Sequence, residues 1–172
     1  MPIAVYPGSF DPITCGHLDI AVRATAVFDK VLLAVYDMPA KNVLFTTAER
    51  VEMARRAIEG VSNLEVCSYS GLTVEYCRQM RASVIVRGLR AVSDFEIELQ
   101  MASLNRKMAP ELEVVCLMSS VQYSFLSSSV VKEIAKLGGC IEGLVPPHVA
   151  LALREKYRSS REGPSIPRYL SS

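Results

Sequence analysis

Val5-Tyr6-Pro7-Gly8-Ser9-Phe10-Asp11-Pro12-Ile13-Thr14-Cys15-Gly16-His17 is the stretch that decides how the rest of the chain is read. The apolar run Ile3 to Tyr6 ends at Pro7-Gly8, a turn-rich segment around Asp11-Pro12 follows, and Thr14-Cys15-Gly16-His17 opens an amphipathic run through Phe28. Apolar run, glycine-containing break and helical periodicity predict strand, loop and helix in that order. The first turn of such a helix presents unpaired N–H groups and the positive end of its dipole, which together attract phosphate. Gly8 and Gly16 leave room for backbone to approach a ligand closely, and His17 is placed to face that ligand. The helix terminus disfavours the imidazolium, so a neutral ring is expected unless bound phosphate offsets the field. The same residues also read as ordinary turn punctuation and a helix cap, so the decision rests on what lies further along.

Val31-Leu32-Leu33-Ala34-Val35-Tyr36 is a continuous apolar run, the pattern of a strand buried on both faces. After a loop from Asp37 to Phe45, Thr46-Thr47-Ala48-Glu49 resembles a capping box, and the helix is expected to reach about Glu59 before Gly60 ends it. Its charges, Glu49, Arg50, Glu52, Arg55 and Arg56, surround a stripe of Val51, Ala54 and Ile58 and read as a solvated face. Leu64 to Cys67 reads as a strand, Gly71 to Arg81 as a helix with its loop, and Val84-Ile85-Val86 as a buried strand followed directly by Arg87-Gly88-Leu89-Arg90. Ser93 to Met108 reads as a helix, Leu112 to Met118 as a strand and Ser119 to Leu126 as a polar, aromatic loop. Ser127-Ser128-Ser129 opens a helix that runs through Leu137 and stops at Gly138-Gly139, and Pro146-Pro147 starts a last helix to about Tyr157. Strands and helices therefore alternate about five times. The expected fold is α/β: a Rossmann-like, doubly wound, five-stranded parallel sheet with right-handed crossovers, as a single domain over residues 1–157. Residues 158–172, rich in Ser, Pro and Arg, read as a C-terminal extension.

The chain has 172 residues and is 50% hydrophobic, enough for one domain with a real core. Its formal net charge of +1 points to neither nucleic acid nor a membrane surface, so any anion site must be a local cluster. The five cysteines are scattered and form no C-x-x-C pair, which argues against a disulfide framework and for a reducing, cytoplasmic setting. A helix N-terminus is expected to lower the Cys15 thiol pKa, but no partner base for it is evident. No charged-then-apolar leader is seen, and no run is long enough to cross a bilayer. Two histidines cannot build a histidine-rich metal site. Walker, G-x-G-x-x-G and G-x-S-x-G sequences do not occur.

In open parallel sheets, ligands bind beyond the carboxyl ends of the strands. Ser9 and His17 follow the first predicted strand, Lys41 the second, Thr73 the third, Arg87 and Arg90 the fourth, and Ser127, Ser128 and Ser129 the fifth. Singly, Lys41 reads as a solvated lysine, Arg90 as the partner of Asp94, and the serine run as an N-cap. Arg87 emerges directly from an apolar strand and calls for an anion. The convergence of cations and helix ends on one edge points to a site for two phosphates or more.

The residues also carry a resemblance. Thr14-Cys15-Gly16-His17 resembles the T/H-x-G-H motif of the nucleotidylyltransferase superfamily, and Leu126-Ser127-Ser128-Ser129-Val130-Val131-Lys132 resembles its I-S-S-T/S-x-x-R/K motif. Tyr6 to Pro12, Val86 to Arg90 and Asp94-Phe95-Glu96 narrow the resemblance to the bacterial phosphopantetheine adenylyltransferases, over roughly Pro2 to Tyr157. The resemblance implies transfer of the AMP part of ATP to 4′-phosphopantetheine, giving dephospho-coenzyme A and pyrophosphate, with Mg2+ and commonly as a hexamer. It implies that His17, with Lys41 and Arg90, forms the catalytic set. ATP would be held by Ser9, Phe10, His17, Gly88, Leu89, Arg90, Glu98, Tyr123, Ser124, Phe125, Leu126, Ser127, Ser128 and Ser129. Phosphopantetheine would be held by Ser9, Lys41, Thr73 and Arg87, and no dedicated acidic cage for the metal is seen.

This chain departs from the common pattern at several positions. Ser9 stands for a frequent threonine, Cys15 for asparagine, Tyr123 for tryptophan and Thr73 for an apolar residue. A backbone contact at Thr73 would make that change neutral; a side-chain contact would not. Asp37-Met38-Pro39 makes the loop before Lys41 less basic than in some members. The residue types agree with the chemistry independently: a phosphate monoester, with second pKa near ~6, is already a nucleophile at neutral pH. Positioning and electrostatic donors then suffice without a general base. The competing readings are a nicotinamide-mononucleotide or CDP-forming nucleotidylyltransferase and a non-catalytic nucleotide-binding regulator.

Overall fold

The computed structural model describes residues 2–39 and 42–161. Lys41, expected at the site, and the extension beyond residue 161 lie outside the described residues.

Strands β1 (Ile3–Gly8), β2 (Lys30–Tyr36), β3 (Leu64–Tyr69), β4 (Val84–Leu89) and β5 (Glu113–Met118) alternate with helices α1 (Cys15–Thr25), α2 (Thr47–Ala57), α3 (Thr73–Gln79) and α4 (Val92–Met108). Helices α5 (Ser128–Lys136) and α6 (Pro147–Arg161) follow the last strand. The sheet is five-stranded and parallel in the order β3-β2-β1-β4-β5, the doubly wound arrangement that the sequence predicts. Period-2 alternation sends Val31, Leu33 and Val35 of β2 into one core and Leu32 and Ala34 into the other. The first core packs against α1, α2, α5 and α6; the second takes Val74, Tyr76 and Cys77 from α3 and Ala109 and Leu112 from beside α4.

The register locates a crevice. β1 pairs with β2 along its whole length, from Ile3 opposite Lys30 to Gly8 opposite Val35. With β4 it pairs only at Ala4 opposite Val84 and Val5 opposite Ile85. Beyond Val5 the two central strands part, at the point where strand order reverses and ligands bind in such sheets.

Three expectations need correction. β4 runs on to Leu89, so Arg87 and Gly88 are strand residues paired with Cys116 and Leu117, not part of a loop. α6 continues past Tyr157 to Arg161, because nothing in the sequence between them breaks the helix. Arg50 does not belong to a solvated face: it is 0% exposed.

Candidate active site

His17 is built into the start of α1. Thr14 is the N-cap, with its hydroxyl accepting from the His17 backbone N–H, and the His17 ring answers from the third helical position. This is a capping box with histidine where glutamate is usual. The Thr14 backbone N–H donates to His17 Nδ1 at 3.1 Å. In the neutral ring the hydrogen therefore sits on Nε2. The cap and the site-facing ring, alternatives in the sequence, are one arrangement. Phe10, 2% exposed, packs its ring edge-on against His17 with centroids 5.1 Å apart. Its φ of 45° is a left-handed conformation unusual for a bulky residue.

The parted strands open two cavities. One of about 390 Å³ is lined by Ser9, Phe10, His17, Gly88, Arg90, Glu98, Tyr123 and Leu126 to Ser129, among others. The second, of about 280 Å³, is lined by Ser9, Thr73, Arg87, Tyr36, Tyr69 and residues of α4 that include Met101 and Asn105. Pro7, Gly8, Ser9 and Arg87 line both. The structure thus brings together Ser9, His17, Arg87, Arg90, Glu98 and the serine triplet, with Thr73 across the shared wall. Leu89, Ser124 and Phe125 are not brought to the larger cavity's lining. Leu89 is buried, and Phe125 is 90% exposed at the tip of its loop.

Arg87 bridges the gap between the strands. Its Nη1 donates to the Pro7 carbonyl at 3.1 Å, while Nε and Nη2 donate to the two carboxylate oxygens of Glu98 at 2.7 and 2.6 Å. Burial would lower the guanidinium pKa; the hydrogen bonds and charge of Glu98 more than offset it, and the net shift is upward. Arg90 pairs with Asp94, as its bland reading allowed, but its Nη1 also holds the Leu126 carbonyl at 3.0 Å. The same residue therefore ties the strand-four rim to the Tyr123–Ser129 loop. Within the triplet, Ser127 caps α5 by accepting from the Val130 N–H. Ser128 donates to the Pro12 carbonyl at 2.8 Å and bolts α5 to the β1–α1 loop.

Behind Ser9 lies a sealed hub that sequence reasoning missed. Arg50 spends all its donors internally: Nε on Phe45 O, Nη1 on Ser9 O at 2.7 Å and Tyr36 O at 2.8 Å, Nη2 on Asp37 O and Thr47 Oγ1. Burial pushes its pKa down, with Asp11 and Asp37 opposing. Asp11, 1% exposed, accepts from the Leu44 and Phe45 N–H groups and from Lys132 Nζ at 2.6 Å. One carboxylate and one guanidinium thus pin the β1–α1 loop, the β2–α2 loop and helix α5 together beneath Ser9. An alternating charge pattern on α2 carried no signal of this, because burial there depends on loops folding over the helix start.

Two smaller expectations change. The space at the glycines belongs to the protein's own side chains: a Cβ at Gly8 would lie 2.9 Å from the Phe10 ring, and one at Gly16 would meet the Tyr123 Cβ at 3.3 Å. Burial raises the Cys15 thiol pKa, against the helix-terminus expectation. Thr73 Oγ1 is hydrogen-bonded to Tyr69 Oη at 2.9 Å, and Tyr69 stacks on Tyr76. The Thr73 hydroxyl is therefore already engaged within the protein.

Comparison with known proteins agrees with this geometry. Residues 5–134 match the family described as Cytidylyltransferase-like. The phosphopantetheine adenylyltransferase of Carboxydothermus hydrogenoformans is 53% identical over 158 residues, covering 92% of this chain and 98% of that protein. Its counterpart in a Roseiflexus species is 54% identical over 157 residues, covering 91% and 98%. Among solved structures, Plasmodium falciparum nicotinic acid mononucleotide adenylyltransferase complexed with NaAD superposes with a TM-score of 0.70 at 14% identity, covering 91% of this chain and 96% of that one. That likeness is one of fold. With its motifs in place at the parted strands and more than half of the aligned residues identical to those relatives across nearly the whole chain, the protein belongs to the phosphopantetheine adenylyltransferase family.

Proposed function

We propose that the protein transfers the adenylyl group of ATP to 4′-phosphopantetheine, yielding 3′-dephospho-coenzyme A and pyrophosphate. The observation that carries this reading is the pair of cavities with a common wall of Pro7, Gly8, Ser9 and Arg87. Two anionic molecules laid in them meet end to end at that wall.

ATP occupies the cavity lined by His17, Arg90 and the serine triplet, and the phosphate of the acceptor comes to Arg87 and Ser9. An oxygen of the acceptor phosphate attacks the α-phosphorus of ATP while the bond to the β-phosphate oxygen breaks and pyrophosphate leaves. The acceptor is already ionised at neutral pH, so no proton has to be removed. His17 donates from Nε2 to the α-phosphate oxygen on which charge accumulates, a role that a fixed neutral donor performs without reorganisation. Its Nδ1 cap sets the ring's orientation and tautomer. Arg90 and Lys41 supply positive charge to the same group, and the order imposed by the shared wall supplies proximity.

Mg2+ accompanies ATP in this reading. The acidic side chains lining the larger cavity, Asp94 and Glu98, are engaged by Arg90 and Arg87. Among the described residues no group of three or more metal-ligating side chains occurs. The triphosphate itself would then carry the ion, which neutralises its charge and orients it while keeping most of its waters. α4 presents Phe95 and Leu99 on one side and Ile97 and Leu104 on the other to solvent, supporting burial of this helix between copies, and we take the assembly to be the homohexamer implied by the resemblance. No helix among the described residues is long and apolar enough to cross a membrane. The free cysteines support a cytoplasmic location.

Pyrophosphate release measured with ATP or CTP against 4′-phosphopantetheine, nicotinamide mononucleotide and a CDP-forming acceptor tests the assignment. Turnover is expected only with ATP and 4′-phosphopantetheine. Preference for another acceptor, or ATP binding without pyrophosphate, would overturn it.

A further inference from the structure

Arg87 and Glu98 are expected on different substrates, the first on the acceptor phosphate and the second on ATP. The structure puts them on each other. Glu98 fills the Nε–Nη2 edge of Arg87 through two parallel hydrogen bonds of 2.7 and 2.6 Å. That edge is the one that recognises carboxylate and phosphate alike in a two-pronged fashion. Its third group, Nη1, is held by the Pro7 carbonyl, so the guanidinium is fixed in the gap between β1 and β4. Arg87 lines both cavities, whereas Glu98 lines the larger one and not the smaller.

Resting on the function proposed above, we infer that Glu98 is a stand-in for the acceptor phosphate and that its exchange couples the two half-sites. A phosphate arriving in the smaller cavity finds the best edge of Arg87 taken by a like-charged group. To bind in the two-pronged way it displaces the carboxylate. Glu98 is then left facing the larger cavity, where a carboxylate, which only accepts hydrogen bonds, fits the hydroxyls of the sugar of ATP and is repelled by its phosphates. The reverse holds equally: ATP that draws Glu98 to its sugar exposes Arg87. Each substrate therefore raises the affinity of the site for the other, and linkage makes the two enhancements equal. In the resting state the pair also keeps a partly buried cation compensated.

Isothermal titration of the full chain tests this with 4′-phosphopantetheine and a non-hydrolysable ATP analogue, each alone and with the other saturating, in wild type and Glu98→Gln. In wild type each ligand is expected to tighten the other about tenfold. In Glu98→Gln the acceptor alone should bind about tenfold more tightly than to wild type, since no carboxylate has to leave, and the mutual enhancement should vanish. Enhancement of equal size in the variant, weaker acceptor binding by the variant, or antagonism in wild type would each overturn the coupling. Pantetheine without its phosphate should leave the affinity for the ATP analogue unchanged; an enhancement by it would also overturn the inference. Binding of both ligands without coupling sinks this inference alone, whereas failure of wild type to bind 4′-phosphopantetheine sinks the proposed function with it.

Discussion

Two arginines stand on either side of the carboxyl end of β1, and they meet opposite fates. On the β2 side, Arg50 is fully buried and every donor is met by a carbonyl or hydroxyl of the protein. On the β4 side, Arg87 is compensated by a single movable carboxylate at the junction of two cavities. The first region is sealed, and its cation shapes backbone. The second is open, and its cation, with His17 and Arg90, faces what enters. A cation whose acceptors are backbone carbonyls has no spare capacity for a ligand; one held by a side chain can exchange partners. Pairing, more than charge, separates the structural arginine from the functional one.

The contrast can be broken at several points. The largest effect is expected from His17→Ala in the open region. Turnover should fall about a thousandfold while affinity for ATP changes far less, measured by steady-state kinetics and direct titration. Losses of equal size in both would make His17 a binding residue. Removing the Thr14–His17 cap should also cost about 1 kcal/mol of stability.

Arg50→Met should act on the sealed region. Stranding buried carbonyls on three segments is expected to cost about 3 kcal/mol, or roughly 10 °C in melting temperature. A variant that melts with the wild type but binds the acceptor poorly would erase the distinction between the two arginines. Arg87→Ala should show the mirror image, with acceptor affinity falling about a hundredfold, stability little changed and ATP affinity undiminished. A selective loss of ATP binding would mean that the occupants of the two cavities are exchanged.

Thr73→Val sharpens the picture at smaller scale. With its hydroxyl held by Tyr69, removal should cost about 1 kcal/mol of stability and leave the Michaelis constant for phosphopantetheine within about twofold. Acid should discriminate the open rim as well. Burial raises the Asp94 pKa, but hydrogen bonds and charge from Arg90 outweigh it, and the net shift is downward. Its contribution is complete above the unfolded value of about 3.9 and is lost as pH falls through the lower folded value. The stability advantage of wild type over Asp94→Asn, read from urea midpoints, should therefore shrink below about pH 4.

The sequence by itself determined the alternation of elements and the edge on which the chemistry gathers. Both follow from local periodicity, capping residues and the rule that parallel sheets bind at strand ends, and neither needs a distant partner. Thr14, His17 and the serine triplet were legible because helix starts are local, and Ser9 and Arg87 because each directly follows or ends a strand. What distant chain segments do to one another was decided by tertiary structure alone. The loss of pairing between β1 and β4 beyond Val5 opened the cavities. Loops closing over the start of α2 turned a surface-looking Arg50 into a buried hub, and α4 crossing β4 set Glu98 against Arg87. Burial and pairing depend on groups far apart in sequence, so the charge pattern around Arg50 or Arg87 carries no record of which will be sealed and which left open.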